Sequence, residues 1–471
     1  MRNRASCSAI RSRFAAITLA WLRALSLGLL GVMLGSTLAE AKPFAYVTNA
    51  GANTVSVIDT ATNTVVATVP VGFSPSLVAI TPDGTRAYVM NVGAVSVIDT
   101  ATNTVVATLP MSAGAMAFTP DGTHAYMATG GNTVTVIDTA TNTVTATVPV
   151  GGGPSGVAIT PDGTRVYVSI SLGISGGVSV IDTATNTVVA TVPFPVGFSP
   201  RSLAITPDGT QAYVTISLGI NGAVSVIATA TNTVVATVPM GREEHPWGVA
   251  ITPDGTHAYV VNGTGTGGLG NVSVIATATN TVVANVRVGW EPFGVAITPD
   301  GSHAYVANSA RQTIFPPSVS VIDTATNTVV ADVLVGTRAF WVAITPVKFT
   351  CPLVQGLWKN SPDTWPVTSL TLGSQTYTQA ELLTLFDTSP RGDASVILAR
   401  QLIAAKLNIA NGSNPNPIRS TIADADKLLS QFFGKLPYNV ETSSDIGQQM
   451  VNHANVLDRY NNGGLTPECG P

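Results

Sequence analysis

Glu243, Glu244 and His245, with Trp247 two positions beyond, are the only local acid–base cluster outside the chain's repeated pattern. Two carboxylates beside an imidazole can pass a proton near neutral pH, and an adjacent indole can hold a ring in place. A hydrolase could use such a group. What it lacks is company: no carboxylate, histidine or asparagine recurs on the other innermost strands to complete a site, and their channel-facing positions are Val, Ala and Ile. Three further histidines, His124, His257 and His303, each follow a Pro-Asp-Gly turn, where Arg86, Arg165 and Gln211 stand in other copies. Groups spread this way by a repeat do not converge on one metal. The aspartates Asp59, Asp99, Asp138, Asp182 and Asp323 also recur, and Ala228 and Ala276 replace them in two copies. That tolerance fits turn capping better than catalysis. No Gly-rich phosphate loop or Ser nucleophile motif is present, so no catalytic residue, metal or cofactor is assigned.

The elements that must position any site come from one sentence repeated between Phe44 and Pro346. Its first copy reads AYVTN (45–49), VSVID (55–59), TATNTVVATVPV (60–71) and VAITPDGT (78–85). The marker tyrosines Tyr46, Tyr88, Tyr126, Tyr167, Tyr213, Tyr259 and Tyr305 lie 38 to 46 residues apart, the length of one four-stranded propeller blade. Each run is short and β-branched and ends in Pro-Asp-Gly or Asn-Thr turn chemistry, which predicts a strand. With VAIT innermost, the chain starts on a second strand and ends on a first one. Trp341–Thr345 then completes the blade begun by residues 44–71, closing an all-β ring of seven blades with no open seam.

Tyr46-Val47-Thr48-Asn49, together with the PDGT and VSVIDTATNTVVATVPVG blocks, resembles the YVTN β-propeller repeat family over about 300 residues. The family is similar to archaeal surface-layer and bacterial envelope proteins, so the resemblance implies a propeller at a cell surface. Seven-bladed propellers also resemble the lactonase family in fold, which keeps a lactonase-like hydrolase as an alternative. A structural surface-coat subunit is the third.

Comparison among the copies locates a face. The TPDGT and DTATNT turns barely vary and lie at one end of the blades. The insertions Ser171–Gly177, Ser217–Gly222, Asn262–Gly270 and Asn308–Pro317 all fall at the other end, the pattern of a binding side. There the residue at the mouth of the innermost strand runs Ser76, Gly114, Ser155, Arg201, Trp247, Phe293, Phe340. Three consecutive aromatics, with Arg201, Trp290, Glu291 and Arg338 and the inserted Glu243, Glu244 and His245 nearby, predict a contact surface for a protein, glycan or cell-surface polymer. The same side chains could equally pack beneath the segment that follows them.

After Pro346 the period changes to that of helices. Thr378-Gln379-Ala380-Glu381 is a capping box opening a helix through about Phe386, and residues 394–410 form an amphipathic run stopped by Asn411-Gly412. Further helices are expected near Ser420–Phe433 and Ser444–Tyr460, so residues 347–471 form a small, mostly α-helical C-terminal domain beside a propeller of residues 42–346. Gln355-Gly356-Leu357-Trp358-Lys359-Asn360 and Thr364-Trp365-Pro366 resemble a small domain at the ends of many secreted bacterial proteins. Leu357 and Ser361 depart from the Tyr and His often found there, and the resemblance implies no chemistry. Trp358 and Trp365 are expected in its core.

Residues 1–41 combine Arg2, Arg4, Arg11 and Arg13, an apolar run over Ala24–Leu34 and a small-x-small site at Ala39-Glu40-Ala41, the layout of a secretory signal peptide. Its removal takes five basic residues and one acidic one, leaving 17 against 25 and a net charge of −8. No basic patch survives to favour nucleic acid or anionic lipid, and no transmembrane segment is expected after cleavage. Cys351 and Cys469 then remain, bracketing the helical segment, which in an exported protein predicts one disulfide. The chain reads as secreted, periplasmic or surface-held, and as a binding scaffold before an enzyme.

Overall fold

The computed structural model describes residues 43–171, 176–218, 221–242, 244–264, 268–310, 316–346, 351–413 and 416–465. Seven four-stranded antiparallel sheets form the blades of a propeller. Their innermost strands, for blades 1 to 7, are Ala339–Ile344, Val78–Ile80, Ala113–Phe118, Pro154–Ile159, Ser199–Ile205, Glu244–Ile251 and Pro292–Ile297. Second and third strands such as Phe44–Asn49 and Thr54–Asp59 are buried on both faces, because each blade is packed between two others. That is why they read as nearly unbroken Val, Ile, Ala and Tyr. The outer strand, Thr64–Pro70 in blade 1, is mostly exposed and can carry threonines.

The ring closes within blade 1. Ala339–Ile344 pairs with Phe44–Asn49, with Ala45 opposite Ile344 and Tyr46 opposite Ala343. The backbone N–H of Phe44 donates to Thr345 Oγ1 at 2.8 Å, and that of Thr345 donates to the Phe44 carbonyl at 2.9 Å. A second device repeats around the ring. Each marker tyrosine donates its hydroxyl to the side-chain carbonyl of the turn asparagine in the next blade: Tyr46 to Asn103 at 2.7 Å, Tyr88 to Asn142 and Tyr126 to Asn186 at 2.6 Å, through to Tyr305 and Asn63. These asparagines sit at φ 53–56°, a left-handed turn that Asn tolerates well.

The recurring aspartates cap their own turns. Asp59 accepts from the N–H groups of Ala61 and Thr62 at 2.8 and 3.3 Å, while Asp121 accepts from the Thr119 hydroxyl and the Thr123 N–H. Asp99 and Asp182 also pair with Arg86 and Arg165.

Among its described residues the C-terminal region holds five α-helices: α1 (Gln355–Asn360), α2 (Gln379–Asp387), α3 (Ala394–Ala410), α4 (Arg419–Leu429) and α5 (Asp445–Asn461). The capping box at Thr378 and Glu381 is formed, and Ser444 caps α5. α4 stops four residues before the expected Phe433. Tight turns from Leu428 and Leu429 break its ladder, and Phe432 leaves the helix to stack on Tyr438 with ring centroids 4.8 Å apart. Trp358 is fully buried, its indole N–H donating to Asn408 Oδ1 at 2.9 Å, and Trp365 packs edge-on against Phe386. Asn408 also accepts from the Leu353 N–H, donates to the Leu353 carbonyl and reaches Asn461, so one amide ties both ends of the region to α3. Among the described residues no helix is long and apolar enough to cross a membrane.

Candidate functional site

The mouth of the channel is built by a repeated irregularity. In blade 5, Pro200 pairs with Ile216 and Leu203 with Val214, so Arg201 and Ser202 together oppose the single residue Thr215. Blade 6 treats Trp247 and Gly248 the same way, blade 7 Phe293 and Gly294, and blade 1 Phe340 and Trp341. A bulge of this kind re-aims a side chain that a regular strand would send to the sheet face. Four consecutive blades therefore present the first residue of a bulge at the mouth.

Those four side chains form one stack. The Arg201 guanidinium lies 3.8 Å from the Trp247 ring centroid. Trp247 meets Phe293 edge-on at 4.9 Å, and Phe293 stacks on Phe340 at 4.6 Å with planes 24° apart. Hydroxyls on the second strands pin the stack from behind. Ser169 donates to the Arg201 carbonyl at 2.6 Å and Thr215 to the Trp247 carbonyl at 2.9 Å, each bridging two blades. Thr48 does the same between blades 1 and 2, accepting from the Trp341 N–H and donating to the Ser76 carbonyl at 2.7 Å. Gly294 is small by necessity: a Cβ there would meet the backbone and ring of Trp341 at 2.9 Å.

Beneath the stack opens a cavity of about 500 Å³ lined by residues of the innermost strands, Arg201, Trp247, Phe340 and Trp341 among them. None of its described lining residues comes from the helical region. Pro417 and Arg419 instead share a separate crevice of about 640 Å³ with Pro253, Asp254, Pro299 and Asp300, on the Pro-Asp-Gly turns at the opposite end of the innermost strands. Among the described residues, the aromatic arc is thus not packed under the C-terminal region.

The other sequence candidates have different places. Glu244 Oε1 accepts from Asn271 at 2.6 Å and Oε2 from the Gly241 N–H at 2.7 Å, which ties its carboxylate to neighbouring strands of blade 6 and blade 5. His245 pairs along the strand with Gly263. Glu243 and Cys469 lie outside the described residues, as does the segment 1–41. Glu291 and Arg338 occupy left-handed turn positions at φ 48° and 57°, two residues before Phe293 and Phe340, and Trp290 ends an outer strand. They stand at the rim and not in the cavity lining. Trp341, Met90 and Met116 do line it. The methionines were detectable as departures from the repeat, since Met90 stands where Thr48 stands and Met116 where Val78 stands. His124, His257 and His303 each bond to the hydroxyl of the preceding residue, and the described residues contain no cluster of potential metal ligands.

Fold and mouth together define a seven-bladed β-propeller, a class that commonly serves as a scaffold for interactions. Many solved structures share the fold, and two of them serve as examples. Kuenenia stuttgartiensis hydrazine synthase aligns at 24% identity and TM-score 0.51 over 57% of this chain and 88% of that one. A functionally unknown protein from Desulfotomaculum acetoxidans DSM 771 aligns at 19% and 0.52 over 65% and 99%. At these identities the likeness is one of fold alone. No family model matches the chain, and no curated protein matches it.

Proposed function

We propose that the chain is a secreted or envelope-associated propeller of the YVTN type that binds a protein, glycan or surface-polymer partner at its loop-rich mouth. One observation carries this: the continuous stack Arg201–Trp247–Phe293–Phe340 stands over a cavity that no described residue of the helical region lines. Aromatic faces with a cation among them, next to a cavity of this volume, suit a ring or an apolar side chain. The basic, apolar and small-residue layout of residues 1–41 supports export. Export in turn supports a Cys351–Cys469 disulfide. Glu244 serves the strands that carry the mouth, its carboxylate held by Asn271 and the Gly241 N–H.

The test is binding of the purified chain to isolated envelope material. Trp247→Ala and Phe340→Ala should each abolish capture while leaving the melting temperature within a few degrees of wild type. Capture unchanged in both would reject the mouth as the binding site.

A further inference from the structure

The mouth cavity has two unlike walls, and we propose that it takes an amphiphilic carboxylate, its anionic end on Arg201 and its apolar body against Trp341, Met90 and Met116. This rests on the reading of the mouth as a binding site. Arg201 lines the cavity, yet no carboxylate among the described residues pairs with it. Its Nε is buried with no hydrogen-bond acceptor, and its one ring contact is with Trp247. Burial disfavours the charged guanidinium and lowers its pKa, yet at so high a starting value Arg stays charged. A half-buried cation with an unpartnered Nε and no counter-charge has given up part of its hydration without a compensating bond. An arriving carboxylate would offset that loss through charge-assisted hydrogen bonds, for which the guanidinium fork is shaped.

The wall beside Arg201 is polar, with Ser155, Ser199 and Ser202 in the lining. The wall across the channel, from blades 1 to 3, offers Trp341, Leu77, Met90 and Met116. Methionine and tryptophan accommodate alkyl and aromatic bodies of varied shape. A lone cation, with no second base among the described lining residues, matches a single negative charge. A phosphate dianion would leave charge uncompensated in a low-dielectric site. A cavity of about 500 Å³ suits a body the size of a hydrophobic dipeptide or medium-chain acid. The carboxylate could belong to a free organic acid or to the C-terminus of a peptide ending in a large apolar residue.

Titration of the full chain, followed by tryptophan fluorescence and calorimetry, separates these. The probes are octanoate, octanamide, octyl phosphate, and acetyl-Leu-Phe as free acid and as amide. At least one acid should bind about tenfold or more tighter than its amide, as expected for a hydrogen-bonded charge pair. Whichever acid does so identifies the source. Arg201→Met should erase the preference with melting unchanged, while Arg201→Lys should keep part of it. The proposal is overturned if neither acid binds at millimolar concentration, if acid and amide bind alike, if the preference survives in Arg201→Met, or if octyl phosphate binds more tightly than octanoate. Failure of the broader reading would look different: Trp247→Ala and Phe340→Ala would then leave envelope binding intact whatever the probes do.

Discussion

Tyr305 in blade 7 donates its hydroxyl to Oδ1 of Asn63 in blade 1, linking residues 242 apart in sequence and latching the last blade to the first. Six equivalent bonds join the other blades, so the closing contact is chemically the same as those within the chain. Closure thus relies on a repeated bond as well as on strand pairing.

Removing one latch should cost about 1 kcal/mol, the net worth of a hydrogen bond. Tyr305→Phe is therefore expected to lower the denaturation midpoint modestly. Asn63→Ala should cost more than Asn63→Gly, because both lose the bond but only Ala meets strain at φ 54°. Equilibrium urea unfolding ranks the three. A gentler effect for Ala than for Gly would contradict the role of the left-handed turn.

The latches and the turn carboxylates should bound stability on opposite sides of neutrality. Burial raises the tyrosine hydroxyls, with Tyr126, Tyr213 and Tyr259 pushed up to about 12. Unfolded tyrosine ionises near 10, so their contribution is whole below about pH 10 and is lost as pH rises towards 12. Hydrogen bonds from Thr119, Thr160 and Thr206 hold Asp121, Asp162 and Asp208 below the ordinary 3.8, and Thr141, Thr185 and Thr326 do so for Asp138, Asp182 and Asp323. That contribution is whole above about pH 4 and disappears as the carboxylates protonate below it. The melting temperature should be flat between the two limbs. Tyr126→Phe combined with Tyr213→Phe should shrink the alkaline limb and leave the acid one unchanged.

The blade count and the closing strand were readable because seven tyrosines at blade spacing leave few other ways to bury such strands. α3 was readable to the residue, since a long apolar period meets a stop at Asn411-Gly412. The mouth was readable only as a column of residue types. Nothing in the letters around Arg201 or Phe293 says that two residues oppose one, because a bulge depends on how the paired strand is registered. Glu291 and Arg338 looked like site charges because their side chains hide a left-handed backbone usually marked by Gly. The helix Gln355–Asn360 and the hairpin of Ser369–Leu372 with Gln375–Thr378 are too short for periodicity to reveal.

Asn408 should be the most sensitive polar position of the helical region. Its amide is buried and joins Leu353, Trp358 and Asn461 at 2.7 to 3.0 Å. Asn408→Ala would strand several buried partners at once, at about 1–3 kcal/mol for each unsatisfied group. Hydrogen exchange should therefore show protection lost in α1, α3 and the end of α5 while the blades keep theirs. Equal loss in the blades would mean the two regions unfold as one unit.

Thr215 offers a way to disturb the mouth without touching a side chain that lines it. Its hydroxyl accepts from the Ser202 N–H at 3.0 Å and donates to the Trp247 carbonyl at 2.9 Å, fixing two neighbouring bulges relative to each other. Thr215→Val keeps the shape and β-branching of the residue but leaves that N–H and carbonyl without their partner, at a cost of about 1–3 kcal/mol. Because Arg201 and Trp247 follow Ser202 and the pinned carbonyl, their mutual placement should loosen. The expected result is weaker envelope binding, by several-fold, with a broadened Trp247 emission. Thr215→Ser, which restores the hydroxyl, should recover most of the affinity. Weakening that Ser fails to rescue would assign the effect to lost methyl packing instead of the bridge between blades.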